Sequence, residues 1–147
     1  MEKRINIGSV EPLAFKAMFG LEAYLAKTDI PKTLKELIKI RASQINNCAY
    51  CIDMHTKDAI KNGETAKRIF LVGAWREATR FFTEEERTVL AMTEEITLID
   101  QHGLQQETYL KAAEIFTENQ IAQIIMVIAT INAWNRIAVS THQEIEG

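Results

Sequence analysis

Three side chains capable of thiol chemistry lie close together in the chain. Cys48 and Cys51 are the only two cysteines, and His55 follows the second by four positions. On a helix, which turns about 100° per residue, these offsets place both sulfurs and the imidazole within roughly 60° of arc. Asp53 would point roughly the opposite way, toward solvent. The spacing therefore predicts a helix with two thiols and a base on one face.

The first interpretation of this cluster is a redox-active dithiol. The thiolate is the nucleophilic form of cysteine, and a neighbouring base or a helix N-terminus favours it. In a Cys-x-x-Cys pair one sulfur attacks and the other resolves the product as an intramolecular disulfide. Helix geometry alone favours Cys48 as the more acidic thiol, because it lies nearer the N-terminus, where unpaired N–H groups favour an anion.

Two other interpretations stay open at this point. Cys48, Cys51 and His55 could bind zinc with one further ligand, although structural zinc sites usually take two ligand pairs and no second pair is evident. Alternatively, the cysteines are small buried hydrophobic residues beside a core histidine. The redox interpretation is favoured over both, since a Cys-x-x-Cys pair in a reducing compartment is more often catalytic or metal-binding than structural.

The composition indicates one compact domain, 1–147, and argues against several classes of partner. The 147 residues are 47% hydrophobic and 25% charged, which is ordinary for a globular protein. The net charge of −3 and the interspersed charges argue against nucleic acid. The longest unbroken apolar run, 124–129, is far too short to span a membrane, and the first residues lack a signal core. We therefore expect a cytoplasmic protein with no permanent structural disulfide.

The elements that position the cluster are predicted to be helices. The chain has only 2 prolines and 6 glycines, and no segment alternates convincingly with a period of two, so the fold class is all-α. We expect a single-domain bundle of about six to eight helices. Start and stop signals place these helices, in order, at 12 to about 27, 31 to 44–47, 48 to 62, one or two within 64–79, 83 to about 99, 105 to 116, and roughly 118 to 142.

Local signals mark both ends of the predicted cysteine helix. Asn46 and Asn47 indicate a break before it, because Asn side chains compete for backbone hydrogen bonds. Gly63 is well placed as the C′ residue after it. This assignment puts Cys48 in the first turn of the helix.

Two capping boxes mark later helix starts. Thr83 with Glu86, and Thr117 with Gln120, have the required spacing of an N-cap residue and its N3 partner. The helix after the second box is apolar almost all round over 121–131. A helix without a polar face is either central to the core or buried in a subunit contact. In so short a chain we expect both, and therefore an oligomer that assembles through apolar helices.

The stretch 34–59 resembles the alkyl hydroperoxidase D (AhpD)-like branch of the carboxymuconolactone decarboxylase family. The family motif is a Glu followed further along by Cys-x-x-Cys-x-x-x-His, and all four positions are present: Glu36, Cys48, Cys51 and His55. The stretches 73–78 and 131–136 also resemble small single-domain members. The resemblance extends over roughly residues 10 to 140 and is strongest over the core motif, 34–63.

The resemblance implies an all-helical protein that assembles into trimers or hexamers and reduces peroxides or disulfides. In the peroxidase branch the second cysteine, here Cys51, attacks the peroxide. The first, here Cys48, resolves the sulfenic acid and exchanges with an external dithiol donor. His55 and Glu36 form a proton relay. We expect no cofactor and no metal, and the partners are a hydroperoxide, a dithiol donor and further copies of the chain.

The residues themselves agree with part of this assignment. Cys51 and His55, at i and i+4, are neighbours on a helix surface. Glu36, on the preceding antiparallel helix, could orient the imidazole, as triad logic requires. The predicted function is a thiol-dependent peroxidase or disulfide reductase in antioxidant defence. The rivals are a lactone decarboxylase-type lyase, whose relatives generally lack the dithiol, and a non-catalytic, redox-responsive assembly protein.

Other side chains receive structural rather than chemical expectations. Tyr50, between the cysteines, is expected to be a packing residue or a pocket wall. Arg41 and Ser43 could line the site or belong to a helix surface. Two groups are expected to face the interior or an interface: part of the first helix's inner stripe, at Leu13, Met18, Leu21 and Leu25, and residues of the later resembling stretches, at Trp75, Trp134 and Asn135.

Overall fold

The computed structural model describes residues 2–145, and all regular secondary structure in this range is helical. Eight α-helices occur in it, which confirms the all-α prediction and the expected number of helices. The helices are α1 (Ile7–Val10), α2 (Pro12–Ala26), α3 (Lys32–Ile45), α4 (Ala49–Lys61), α5 (Ala66–Leu71), α6 (Glu84–Thr97), α7 (Gln106–Ile115) and α8 (Glu118–Thr141), with short 3₁₀ helices at Val72–Ala74 and Thr79–Phe81.

Two helices, α3 and α8, form the centre of the bundle. α3 packs against α4, α6 and α8, and α8 also packs against α2, α4, α6 and α7. The main core cluster joins α3, α6 and α8 through fully buried aliphatic side chains, among them Ile38, Ala42, Val89, Ile124 and Ile128. This placement confirms that the apolar last helix is central to the core, and its many neighbours explain why it has so little polar surface.

By length and composition, α8 could also cross a membrane. It has 24 residues, and its most apolar window of 18 residues has a mean hydropathy of 1.3. Half of that window is buried inside the fold. The central helix of a folded bundle has the same features, and the contacts of α8 with five other helices account for them here.

Both predicted capping boxes are present. The Glu86 N–H donates to Thr83 Oγ1 at 3.2 Å, and the Thr83 N–H donates to a Glu86 carboxylate oxygen at 2.8 Å. Thr117 and Gln120 make the equivalent pair of bonds at 3.2 and 2.9 Å. These reciprocal bonds satisfy backbone donors that a helix start leaves unpaired, so they define the first residues of α6 and α8.

The connection between α3 and α4 is only three residues long and brings the two helices side by side. Asn47 adopts a left-handed conformation, with φ of 53°, directly after the C-cap of α3. Cys48 is the N-cap of α4 rather than a first-turn residue, one position outside the predicted helix. Gly63, with φ of 92°, follows the C-cap of α4 and confirms the predicted C′ glycine.

The N-terminal part of the chain departs from the sequence prediction. A short helix, α1, precedes α2 and was not expected. Leu13 was predicted to face inward, but this is wrong, because its side chain is 74% exposed. Only Leu25 of α2 is buried. α2 lies at the edge of the bundle and packs mainly against α1 and α8, so few of its apolar residues find a neighbour.

We expect truncation of Ile128 in the core to destabilise the fold strongly. Ile128 is fully buried between α3, α6 and α8, and Ile128→Ala removes three heavy atoms from a packed interior. Such changes cost about 2–5 kcal/mol of unfolding free energy, which urea denaturation measures. The control is Ile60→Ala, where the side chain is 48% exposed and a change within about 0.5 kcal/mol is expected. Equal losses in both variants would contradict this account of the core.

Candidate active site

The antiparallel contact of α3 with α4 brings all four residues of the motif together. Glu36 lies on α3, Cys51 and His55 lie on α4, and Cys48 caps the start of α4. All four are buried, with exposed fractions of 7% for Glu36 and His55 and 1–2% for the cysteines. The predicted helix face therefore points into the protein, and residues 19 positions apart form one cluster.

The two cysteines form a disulfide in this structure. Their Cα atoms are 5.3 Å apart, within the range that a disulfide requires. The Cys51 N–H donates to Cys48 Sγ at 3.3 Å, so the sulfur fills the N-cap role that Ser or Asp usually takes. A bridge between residues only three positions apart removes little chain entropy from the unfolded state. Its contribution to stability is therefore small, which fits a redox pair better than a structural cross-link.

His55 and Glu36 form a buried hydrogen-bonded pair. His55 Nδ1 lies 3.2 Å from Glu36 Oε2. A carboxylate only accepts hydrogen bonds, so the proton of the neutral imidazole belongs on Nδ1. That tautomer leaves Nε2 as the basic nitrogen, and the carboxylate would stabilise the imidazolium that forms when Nε2 takes a proton. The pair can therefore act as an oriented base.

A third group, Lys39, contacts the carboxylate of this pair, and the sequence analysis did not predict its role. Lys39 Nζ lies 3.4 Å from Glu36 Oε1, the oxygen that His55 does not use. Burial raises the pKa of the Glu36 carboxyl, but the hydrogen bond from His55 and the charge of Lys39 outweigh burial. The net pKa of Glu36 lies below its ordinary value, so the group stays ionised. The signal in the sequence was the i, i+3 spacing of Glu36 and Lys39.

A cavity of about 430 Å³ opens beside the cluster, a size typical of small-molecule sites. More than half of its lining residues belong to α2 and α8. Phe15, Phe19 and Trp134 make an aromatic cluster there, with ring centroids 5.5–6.0 Å apart. Lys39, Tyr50 and His55 are among its polar lining residues, together with Glu22 and Asp58.

Tyr50 connects the cavity to the cysteines. It lines the cavity and also packs against the small cluster formed by Cys48, Cys51 and Ala138. This confirms its predicted role as a pocket wall. Neither cysteine lines the cavity itself, which fits their burial in the oxidised form.

Arg41 and Ser43, which were expected either to line the site or to belong to a helix surface, do not line the cavity. Arg41 Nε donates to Glu94 Oε1 at 2.8 Å, and the same carboxylate binds Arg76 and, at 2.9 Å, Trp75. Arg41 therefore belongs to an ion-pair cluster on the α6 side of α3. Ser43 is fully buried and does not line the cavity. The Arg41 side chain instead contacts α6, and the Ser43 hydroxyl accepts a hydrogen bond from Asn135 on α8.

The zinc interpretation gains no support from this geometry. Among residues 2–145, the His, Cys, Asp and Glu side chains form no group of three that could hold a metal ion. Asp53, the nearest further carboxylate along α4, forms an ion pair with Lys57 at 2.8 Å. The cysteine face and the Asp53 face of the helix are distinct, as the spacing predicts.

The all-α bundle carries a cysteine pair and a Glu–His pair at one helix junction, which is the arrangement of the family that the sequence resembles. Comparison with known proteins gives the same family. The chain belongs to the carboxymuconolactone decarboxylase family, whose sequence pattern matches residues 12–95. This match covers more than half of the chain and includes all four motif positions.

Individual relatives support the same assignment. The uncharacterized protein YdfG of Bacillus subtilis (strain 168) is 41% identical over 140 residues, 95% of each chain. ATU0492 from Agrobacterium tumefaciens is 36% identical in sequence, and the match covers 99% of each chain. Its crystal structure, described as that of a protein of unknown function and candidate antioxidant defence protein AhpD, superimposes with a TM-score of 0.95. The debrominase Bmp8 is 25% identical with a TM-score of 0.83, over 96% of this chain and 75% of its own.

The pKa of Glu36 predicts a pH-dependent contribution to stability. The pKa of Glu36 is lower in the folded state than in the unfolded state. The ionised carboxyl therefore stabilises the fold at pH values above the unfolded-state pKa, and this stabilisation is lost as the pH falls through the folded-state pKa. Glu36→Gln should cost about 1.5–3 kcal/mol of unfolding free energy at neutral pH, as expected for a hydrogen bond to a charged group. The gap between wild type and variant should narrow below about pH 4, as urea denaturation measures.

The control for this experiment is Glu114→Gln on α7, where the carboxyl is exposed. Its gap from wild type should be small and should change little with pH. If the gap for Glu36→Gln is equally wide at about pH 3 and about pH 6, the ionised pair does not contribute as described.

Proposed function

We propose that this protein is a thiol-dependent peroxidase that reduces hydroperoxides with Cys51 and Cys48. The observation that carries the proposal is the buried Glu36–His55 pair at 3.2 Å, on the same two helices as a Cys48–Cys51 disulfide and beside a mostly apolar cavity. The family and the AhpD-like relative support redox chemistry of this kind.

In the first step, the thiolate of Cys51 attacks the terminal oxygen of the hydroperoxide. His55 Nε2 removes the thiol proton, and Glu36 holds the imidazolium that results. The S–O bond forms as the O–O bond breaks. The departing alkoxide takes a proton and leaves as an alcohol, or as water when the substrate is hydrogen peroxide. Cys51 is then a sulfenic acid.

In the second step, the Cys48 sulfur attacks the sulfenic sulfur of Cys51. The S–S bond forms, the S–O bond breaks, and hydroxide leaves with a proton as water. Cys48 is suited to this step as a thiolate, because a backbone N–H and the start of α4 favour negative charge at its sulfur. An external dithiol then reduces the disulfide by exchange and is itself oxidised.

The choice of Cys51 as the attacking sulfur rests on its base. Cys51 precedes His55 by one helical turn on α4, which puts the thiol and the imidazole on adjacent positions of one buried face. Cys48 lies closer to the helix start but has no such base one turn away. Proximity to a base can outweigh the helix dipole, which solvent screens.

The cavity supports an organic hydroperoxide as the substrate. Phe15, Phe19 and Trp134 would pack against an apolar body, while the peroxide group reaches the cysteines past Tyr50 and His55.

Assembly into trimers or hexamers is also part of the proposal. The exposed side chains of α2 outside the cavity, such as Leu13 and Tyr24, support a subunit contact on that helix.

Cysteine variants should separate the two steps. Reduced wild-type protein mixed with peroxide in a stopped-flow instrument should form one intramolecular disulfide. Cys48→Ser should stop at the Cys51 sulfenic acid, which a dimedone probe traps, and Cys51→Ser should not consume peroxide. His55→Gln should slow attack by Cys51 about 100-fold, the usual contribution of a general base. If both thiols react with peroxide no faster than free cysteine does, the proposed peroxidase function is excluded.

The same experiment distinguishes the rival functions. A redox-responsive assembly protein would oxidise once and would not turn over peroxide when a dithiol donor is supplied. A lactone decarboxylase-type lyase would act on its substrate without either thiol, so Cys51→Ser would retain that activity. Disulfide reduction without peroxide turnover would assign the pair to dithiol exchange alone.

Narrowing the cavity should slow only large substrates. Met54 precedes His55 on α4 and lines the cavity, so Met54→Trp should reduce kcat/KM for cumene hydroperoxide about tenfold. The rate with hydrogen peroxide should change less than about twofold. The matched control is Ile60→Trp, an exposed position of the same helix outside the cavity. Equal losses for both peroxides would show that substrate does not enter here.

A further inference from the structure

A buried amide on α8 is not used by the proposed chemistry. Asn135 is 1% exposed, and most of the other buried residues of α8 are aliphatic. A buried amide costs free energy unless it is hydrogen-bonded, so a leucine would suit this helix better if packing were the only requirement. The hydrogen bonds of Asn135 therefore indicate what this residue contributes to the structure.

The hydrogen bonds of Asn135 reach two residues at the C-terminal end of α3. Asn135 Nδ2 donates to Ser43 Oγ at 3.0 Å, near the end of α3. Asn135 Oδ1 accepts from Asn46 Nδ2 at 2.9 Å, at the C-cap of α3. The other amide hydrogen of Asn46 goes to Asn132 Oδ1, also at 2.9 Å. One face of α8 thus fixes the last turn of α3 by three side-chain bonds.

The anchored turn is a Schellman motif that contains Cys48. The Cys48 N–H donates to the Ser43 carbonyl at 3.0 Å, and the Asn47 N–H donates to the Gln44 carbonyl at 3.2 Å. Asn47 occupies the left-handed C′ position. Ser43 therefore holds the backbone of Cys48 through its carbonyl while its hydroxyl is held by Asn135. Two hydrogen bonds connect α8 to the first cysteine.

We propose that Asn135 is a positioning residue that, through Ser43 and Asn46, holds the backbone of Cys48 where the disulfide with Cys51 requires it. Cys51 lies in the first turn of α4, and its N–H donates to Cys48 Sγ at 3.3 Å, so the position of Cys48 also sets its distance from Cys51. This inference rests on the proposed use of the two cysteines as a redox pair. It assigns to α8 control over how readily the disulfide forms.

The physical reason is effective concentration. A disulfide forms more favourably when the two thiols are already held at bonding distance, because less freedom is lost on closure. Without Asn135 the turn loses two of its three side-chain bonds to α8. Cys48 then samples more positions, and the equilibrium moves toward the dithiol.

The test is the thiol–disulfide equilibrium of the protein with dithiothreitol, measured without peroxide. The protein dithiol and oxidised dithiothreitol exchange for the protein disulfide and reduced dithiothreitol. In Asn135→Ala we expect the equilibrium constant for disulfide formation to fall about tenfold, which for two electrons is about 30 mV. The condensation of the Cys51 sulfenic acid should slow by a similar factor, while attack on peroxide stays within about twofold.

Three further variants make the test specific. Thr93→Val removes a fully buried hydroxyl that bonds within α6, to the Val89 carbonyl, and not to the turn, and should leave the redox equilibrium unchanged. Ser43→Ala removes the hydroxyl that Asn135 holds, in a smaller change that also decides the matter if Asn135→Ala does not fold. Ser43→Ala should lower the constant, and the double variant Ser43→Ala/Asn135→Ala should be no worse than Asn135→Ala alone.

The inference is overturned if Asn135→Ala, or Ser43→Ala in its place, keeps the equilibrium constant within about twofold of wild type. It is also overturned if Thr93→Val shifts the constant as much, since the effect would then be general destabilisation. Failure of the peroxidase proposal is a separate result. A protein that consumes no peroxide but shows the Asn135 shift retains this inference, whereas peroxide turnover with no shift overturns it.

Discussion

The site depends on the turn that joins α3 to α4. Its Schellman motif ends one helix and its last residue, Cys48, caps the next, so the chain reverses within three residues. This reversal lays α4 along α3 and brings His55 within hydrogen-bond distance of Glu36. The same residue that closes the turn is half of the disulfide. Changes to the turn therefore affect the backbone, the ion pair and the sulfur chemistry together.

Burial gives this arrangement its electrostatic character. Burial alone would favour a neutral Glu36, but Lys39 and His55 hold one carboxylate oxygen each and keep the group ionised. An ionised Glu36 fixes the tautomer of His55 and leaves one ring nitrogen basic. Around this polar cluster the protein places aliphatic and aromatic side chains, which exclude water from the sulfurs and shape the cavity. The contacts of Glu36 with His55 and Lys39 thus set the charge state of the buried site.

Local signals predicted much of the fold because they act within a few residues. The capping boxes at Thr83 and Thr117, the glycine at 63 and the apolar last helix all have causes that the sequence displays directly. The inner stripe of α2 was predicted by the same periodicity, yet Leu13 is exposed. Periodicity shows that a helix has an apolar side, but whether that side meets a neighbour depends on the position of the helix in the bundle.

The sequence by itself determined the chemistry available to this protein: two thiols and an imidazole on one helix face, with a glutamate on the preceding helix. Their spacing along the chain is enough, since helix geometry converts it into direction. Only the tertiary structure decided which distant groups join them. The aromatic residues of the cavity and the amide of Asn135 reach the cluster through the packing of α8 on α3 and α4 and of α2 on α8. Contacts between separate helices depend on how whole faces pack together, and no local pattern in the sequence specifies that.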